Sequence, residues 1–196
     1  MILGAGNSGR KVLGAVAGDP QWRAVAFADD YVTGYQNDLP VIPIHEIAAN
    51  DFVACGVGNP VWREDMIQRA GSNVANVIHE TAINHGTIFL PSVVCANVFV
   101  SMDAVICEGA SLNIGAVVGP RAKLGPYVTM NQYAVAASDS RIYSQSYIGM
   151  GAKILEGRKV APRSMIAAGA VVTKDIDESG YVWAGVPAVK KKAWEM

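Results

Sequence analysis

Histidine and cysteine are scarce in this chain, with three of each in 196 residues. Cys55, Cys95 and Cys107 show no metal-ligand spacing, and an odd count supports no disulfide framework. A reduced, cytoplasmic compartment is the resulting expectation, with no metal centre. Charge is scarce too, at 17% of residues, split into 16 basic and 17 acidic side chains. That balance argues against an electrostatic nucleic-acid-binding face. A hydrophobic content of 51% excludes a disordered chain. No membrane-length apolar run is present. The longest stretch without Asp, Glu, Lys or Arg, Thr81 to Met102, is broken by Asn84, His85, Gly86, Pro91 and Asn97. No basic region precedes the first apolar residues, so the start does not read as a secretory leader. The expectation is a soluble protein without a membrane partner.

The most informative pattern is a repeat. From Ile88 to Val172 an aliphatic residue, Ala or Met returns every six residues, fifteen times without a slip. Four residues after each, from Ser92 to Ala170, stands a small side chain or Val, with Arg158 the single exception. Neither a helix nor an ordinary strand has period six. The reading is a β-solenoid in which each hexad supplies one short strand and one corner. The large aliphatic residue points inward, and the small one fits where the corner narrows. Coils stack at about 4.8 Å, so each backbone ladder is satisfied from above and below. Three hexads per turn make a triangular prism, and fifteen hexads then predict about five coils. A β-sandwich with accidental periodicity is the bland alternative.

Residues 1–80 have a different texture and carry 5 basic against 9 acidic side chains, whereas 81–196 carry 11 against 8. The mild positive balance of the second part suits a phosphate-bearing ligand. Ile2 and Leu3 lead into Gly4-Ala5-Gly6-Asn7-Ser8-Gly9, a GxGxxG followed by a helix-compatible run from Arg10 to Ala17. Val25 to Ala28 reads as a second strand ending at Asp29-Asp30, Phe52 to Val57 as a third, and Trp62 to Ala70 as a second helix. This is a β-α-β nucleotide-binding order, with glycines that allow close backbone approach and a helix N-terminus offered to phosphate. A plain strand-to-helix turn uses the same residues. The domains expected are a small α/β, Rossmann-like nucleotide-binding domain over 1–80 and a parallel β-helix over 81–196. Eighty residues leave no room for a dinucleotide domain with a hydride-transfer site.

An α/β domain opening on GxGxxG, an unbroken hexapeptide solenoid and the closing Ala184-Gly185-Val186-Pro187-Ala188 resemble the bacterial sugar O-acyltransferases. That family includes the sialic acid O-acetyltransferase group and the N-acetyltransferases of nucleotide-linked amino sugars. Phe27-Ala28-Asp29-Asp30, Gly56-Val57-Gly58-Asn59 with Arg63, and Val77-Ile78-His79 fall where the family carries similar strings. The resemblance implies a left-handed β-helix, a homotrimer, and acetyl-CoA lying between neighbouring subunits. It also implies transfer to a nucleotide-sugar acceptor in bacterial surface glycan synthesis. By position, the thioester would meet the Ser138 amide and pantetheine would pass Met150 and Ala168. Lys190, with Lys191 and Lys192, would reach CoA phosphates unless the segment is merely solvated. The acceptor would sit under Gly4, Gly6, Asn7, Ser8 and Gly9, its base near Asp29 and Asp30, with Asn59 and Arg63 contributing.

The departures from the family matter equally. Where its members carry a catalytic histidine, this chain has Pro120; a second family histidine is matched by Thr129 and a third by Ser8. Stacking every three hexads would align His85, Asp103, Arg121 and Asp139, making His85 and Asp139 candidate bases and the column otherwise a corner charge ladder. Asn131, Gln132 and Tyr133 would line the acceptor pocket or decorate an outer face. His79 reads as a hydrogen-bonded end to the linker, and His45 as a surface residue. Without a positioned base an amine is the acceptor of choice, so the reading is N-acyl transfer. O-acetylation of a sugar or sialic acid hydroxyl, or a silent trimeric binding or scaffold protein, are the alternatives. A β-helical carbonic anhydrase would need histidine-bound zinc, for which the histidines are too few.

Overall fold

The computed structural model describes residues 1–71 and 73–195. β1 (Ile2–Leu3), β2 (Phe27–Ala28), β3 (Gly34–Gln36), β4 (Leu39–Ile42), β5 (Phe52–Cys55) and β6 (Asn73–Val74) form one sheet in the order β3-β4-β2-β1-β5-β6. All neighbours are parallel except the β3–β4 hairpin. That hairpin is not among the elements expected from sequence. Its turn is Asn37-Asp38, both at positive φ (49° and 62°), the pairing that a tight hairpin turn requires.

The alternation of a strand explains how two helices cover this sheet. Ile2, Phe27 and Ala54 point to one side and pack with Val12, Ala15 and Val16 of α1 (Asn7–Ala17). Leu3, Ala28, Val53 and Cys55 point to the other and pack with Met66, Ile67 and Ala70 of α2 (Pro60–Ala70). α2 begins at Pro60 rather than Trp62, because the Asn59 side chain accepts from the Val61 and Trp62 N–H groups and proline supplies the first turn. Gly71 ends it in the left-handed conformation.

From β7 (Val77–Ile78) onward the chain winds as two-residue strands into three parallel sheets. The first face carries Val77, Val93, Ser111, Thr129, Tyr147 and Met165 outward. The second carries Ile83, Phe99, Val117, Val135, Lys153 and Val171. The third carries Thr87, Val105, Lys123, Arg141 and Lys159. The stack is therefore longer than the five coils expected. Its ladder already begins at Val77, ahead of the regular hexads, and continues past Val172. The inward residues from Val100 through Leu112, Met130 and Ile148 to Ile166 are essentially inaccessible, as are the small corner residues such as Ala104, Ala122 and Ala152. The residue before each corner position holds positive φ, from Asn97 to Gly169. This left-handed residue turns the chain and directs its neighbour into the narrow part of the prism.

Partners stand three hexads apart throughout the regular part, as with Ser111 opposite Thr129. The opening ladder is two positions shorter: Val77 pairs with Val93 and Ile83 with Phe99. Only His85 and Gly86 separate β8 (Ile83–Asn84) from β9 (Thr87–Ile88), against four residues at later corners. The chain passes so close to the next coil there that a Cβ on Gly86 would meet the Ala104 oxygen at 2.5 Å. The first face ends in an antiparallel hairpin, Tyr181–Ala184 with Val189–Ala193, whose first strand pairs with Met165 and Ile166. Among the described residues no helix is long and apolar enough to cross a membrane.

Candidate functional site

The glycine loop sits at the carboxyl ends of β1 and β2, where open α/β sheets hold ligands. Gly4 adopts φ +88° and donates its N–H to the Ala28 oxygen at 2.8 Å. The Asp29 carboxylate accepts from the N–H groups of Ala5 (2.8 Å), Tyr31 (2.8 Å) and Val32 (3.1 Å), fixing the loop to the end of β2. Asp30 accepts from the Ile44 N–H at 3.0 Å and pairs with Arg69 at 3.3 Å. Both acids thus serve the framework while bordering a 450 Å³ cleft shared with Gly4, Tyr31, Val57, Trp62 and Arg69. Gly6, Asn7 and Ser8 lead into α1, whose N-cap Gly6 makes no side-chain capping hydrogen bond. Asn7 also accepts from Arg10 at 3.5 Å.

A second cavity of 390 Å³ lies between this loop and the first solenoid face. It shares Val57 and Trp62 with the cleft. Ser8, Lys11 and Asn59 border it on one side, Ser111, Asn113, Asn131 and Tyr147 on the other, and Trp194 at one end. Asn113 and Asn131 form a directed ladder. Asn131 Nδ2 donates to the Ile148 oxygen (2.9 Å), and Asn113 Nδ2 donates to Asn131 Oδ1 (3.3 Å) and to the Met130 oxygen (3.3 Å). Both asparagines are only 5% exposed. Asn113 is not among the sequence candidates, although its distance of three hexads from Asn131 is the signal that would have found it. Gln132 and Tyr133 lie outside this lining. Cys55 and Cys95 also border it, and burial pushes both thiols up to about 11, so they stay protonated and poorly nucleophilic at neutral pH.

Arg63 lies in the seam between the α/β sheet and the solenoid and is 1% exposed. Its Nε donates to the Gly109 oxygen at 2.8 Å, one terminal nitrogen to Val57, Gly58 and Thr129 Oγ1 (3.1, 3.4 and 2.9 Å), and the other to Tyr127 and Val128 (2.7 and 3.3 Å). Every side-chain nitrogen is spent on protein oxygens, and Arg63 does not line the 450 Å³ cleft. Burial lowers its pKa to about 10, which leaves it charged at neutral pH. Thr129 donates in turn to the Gly58 oxygen at 3.2 Å. A second tether runs beside it: Arg163 and Glu64 both bond the Gln145 side chain.

The solenoid candidates fall on different edges. Ser138 lies at the edge between second and third faces, and its N–H meets no acceptor among the described residues, whereas the Asp139 N–H donates to the Pro120 oxygen at 2.9 Å. Met150 and Ala168 lie at the edge between first and second faces, with exposed side chains. Asp139 is gripped by Arg121 through two bonds of 2.8 and 2.6 Å, and this pairing holds its carboxyl below the usual carboxylate range. His85 does not join that column. The shortened register opposite Phe99 and Val100 brings it against Ser101 rather than Asp103, and its ring stands edge-on to Phe99 at 6.0 Å. The short corner at His85 and Gly86 is the physical reason. His79 accepts from the Thr81 N–H at 3.2 Å and covers Gly18. Lys190 pairs with Glu178 at 2.6 Å and stands 3.8 Å above the Tyr181 ring.

Residues 1–70 match the PglD N-terminal domain. Over 97% of each chain the structure is similar to the acetyltransferase domain of PglB from Neisseria gonorrhoeae FA1090 in complex with acetyl coenzyme A, at 29% identity and a TM-score of 0.89. It shares its fold with a mutant perosamine N-acetyltransferase from Caulobacter crescentus, in complex with CoA and GDP-perosamine, at 23% identity and a TM-score of 0.90, covering 97% and 95% of the two chains. A stretch of 87 residues is 38% identical to gamma carbonic anhydrase 1, mitochondrial, of Arabidopsis thaliana, covering 44% of this chain and 31% of that protein. The chain therefore spans about a third of that curated relative. Among the described residues no three histidine, cysteine or acidic side chains gather to hold a metal ion. Residues 1–70 thus carry the match to the PglD N-terminal domain, and the parallel β-solenoid that follows them shares its fold with the PglB acetyltransferase domain.

Proposed function

We propose that this protein transfers an acyl group, acetyl most readily, from acyl-CoA to the amino group of a nucleotide-linked amino sugar in bacterial surface glycan synthesis. The observation that carries this reading is the pair of joined cavities. A cleft at the carboxyl ends of the sheet, bordered by the exposed aromatics Tyr31 and Trp62, suits a nucleobase. Beside it, sharing Val57 and Trp62, lies the cavity against the solenoid, where α1 amides and Lys11 suit a diphosphate and the Asn113 carboxamide suits an amine. The relatives point the same way: the PglB domain is a structure with acetyl coenzyme A, and the perosamine enzyme one with CoA and GDP-perosamine.

The arrangement of the edges favours a donor groove between two chains. Ser138 and the pair Met150 and Ala168 border opposite edges of the second face. A pantetheine arm running along one edge would meet one set from this chain and the other from a neighbour. Phe99, Val117 and Val135 point outward on that face, and the exposed Met102, Ile114 and Met150 flank it. This apolar strip is the surface we assign to a homotrimer. Light scattering is expected to give three times the single-chain mass of 20.7 kDa. A stable monomer at micromolar concentration contradicts the trimer and the shared groove together.

The decisive test is thiol release from acetyl-CoA with UDP-, GDP-, dTDP- and CMP-linked amino sugars. At least one acceptor is expected to support turnover. If none does while acetyl-CoA binds, the chain is a ligand-binding protein and the enzymatic reading fails.

A further inference from the structure

Among the described residues Arg63 is the largest fully buried side chain, and no carboxylate there neutralises it. Its partners come from two walls. Val57 and Gly58 belong to the loop between β5 and α2, while Thr129 belongs to the first solenoid face. All three also border the 390 Å³ cavity. On the far side its nitrogens reach Gly109, Tyr127 and Val128, which anchor the fork to two successive coils. Arginine's planar fork bonds several acceptors at once in fixed directions, which a lysine ammonium cannot reproduce.

We propose that Arg63 is the positioning residue that sets the separation of the two walls of this cavity, and through it the placement of the acceptor amine. The inference rests on the acyl-transfer reading for its kinetic consequence and on geometry alone for the wall separation. The Gly56–Asn59 loop has no strand partner on the solenoid. Its links to the first face are Arg63 and the Thr129 hydroxyl, which donates to Gly58. Withdrawing the fork leaves that wall to the Thr129 bond and the neighbouring Glu64–Gln145 tether, while the solenoid's own ladder is untouched.

Arg63→Lys separates these consequences. An acceptor misplaced by about 1 Å can cost on the order of 100-fold in rate, so kcat/KM for the amino-sugar acceptor is expected to fall by about that factor. The Kd for acetyl-CoA is expected to stay unchanged, because the donor groove lies on other edges. The second readout needs no activity. Cys55 and Cys95 border the cavity, whereas Cys107 does not. Maleimide labelling followed by peptide mass spectrometry is expected to accelerate at least tenfold at Cys55 and Cys95, with Cys107 unchanged. Thr129→Val, which removes one acceptor of the fork and the link to Gly58, is expected to shift both readouts in the same direction and serves if the lysine variant does not fold. Unchanged labelling at Cys55 and Cys95 overturns the proposal, as does equal acceleration at all three cysteines, which marks general loosening. If the unaltered protein acylates no nucleotide amino sugar, the acyl-transfer reading falls and labelling alone decides the wall separation.

Discussion

Nucleotide sugars with a free amine are expected to be acylated about 10²–10⁴-fold faster than the corresponding hydroxyl compounds, the usual contribution of a positioned general base. A neutral amine attacks a thioester without help, whereas a hydroxyl must lose its proton to a base as the bond forms. The solenoid edge proposed to face the donor shows no such base among the described residues. Pro120 has no proton acceptor on its side chain. Asp139 is bound by both arms of Arg121 and its carboxyl is held below the usual range, so it is a weaker base than a free carboxylate. His85 is displaced from this column by the shortened register of the opening ladder. What remains is the Ser138 N–H, which meets no acceptor among the described residues and under the proposed reading would meet the charge that develops on the thioester oxygen. Such a donor is worth about 2.7–4 kcal/mol. The proton shed by the amine would pass to the departing CoA thiolate.

The pH dependence follows with a definite sign. Asp139 has a depressed pKa, so it is already ionised well below neutrality and contributes no rise in rate from pH 6 to 9. The rate is instead expected to climb with pH until the acceptor amine is unprotonated, then level off. Its inflection should move when the acceptor is changed for one of different amine pKa. Pro120→His is expected to leave the amine rate nearly unchanged. A hydroxyl acceptor preferred over an amine would sink this account. So would loss of activity in His85→Ala with substrate binding intact, which would place the base at His85.

The solenoid was legible because its rule is local. Each inward residue and each small corner residue recurs at a fixed distance along the chain, so the sequence displays the core directly, from Ile106 to Ile166. The rule fails where the chain shortens. His85 and Gly86 alone join two strands at the opening, and a column extrapolated back by three hexads puts His85 beside Asp103 when its neighbour is Ser101. The site was less legible because its geometry is long-range. Arg63 stands between Trp62 and Glu64 like any polar residue of a surface helix. Its burial depends on oxygens 46 to 66 residues further along the chain. Asp29 and Asn59 stand at positions that suit substrate contact, yet each has its oxygen occupied by nearby backbone N–H groups. The Asn37-Asp38 turn and the Asn59-Pro60 helix start are both readable signals that strand and helix periodicity obscure.

Replacing one glycine is expected to remove acceptor binding while sparing the solenoid. A Cβ on Gly9 would stand 1.9 Å from the Gly4 oxygen, 3.0 Å from the Gly4 carbonyl carbon and 3.3 Å from the Phe27 ring. None of these can give way. Gly4 is held at positive φ with its N–H on Ala28, and Phe27 is fully buried in the core under α1. The opposite side is as tight, since a Cβ on Gly56 would meet the Gly9 Cα at 2.5 Å. Loop, helix and β5 therefore meet as bare backbone, and Gly9→Ala must lift α1 from the sheet, loosening Val12, Ala15 and Val16. Overpacking in a core ordinarily costs about 1–3 kcal/mol, and a clash against backbone belongs at or above the upper end. Gly6→Ala is the matched control, because nothing lies within 4 Å of a Cβ there and φ is −79°. Its cost should stay under about 1 kcal/mol, the loss expected at a helix N-cap. Differential scanning calorimetry of Gly9→Ala should show the α/β part melting early while the solenoid transition holds its position. Titration should show nucleotide-sugar binding abolished and acetyl-CoA binding kept. A Gly9→Ala protein with the melting curve and acceptor affinity of the unaltered protein would mean that the glycine loop is not the close-packed cradle described above.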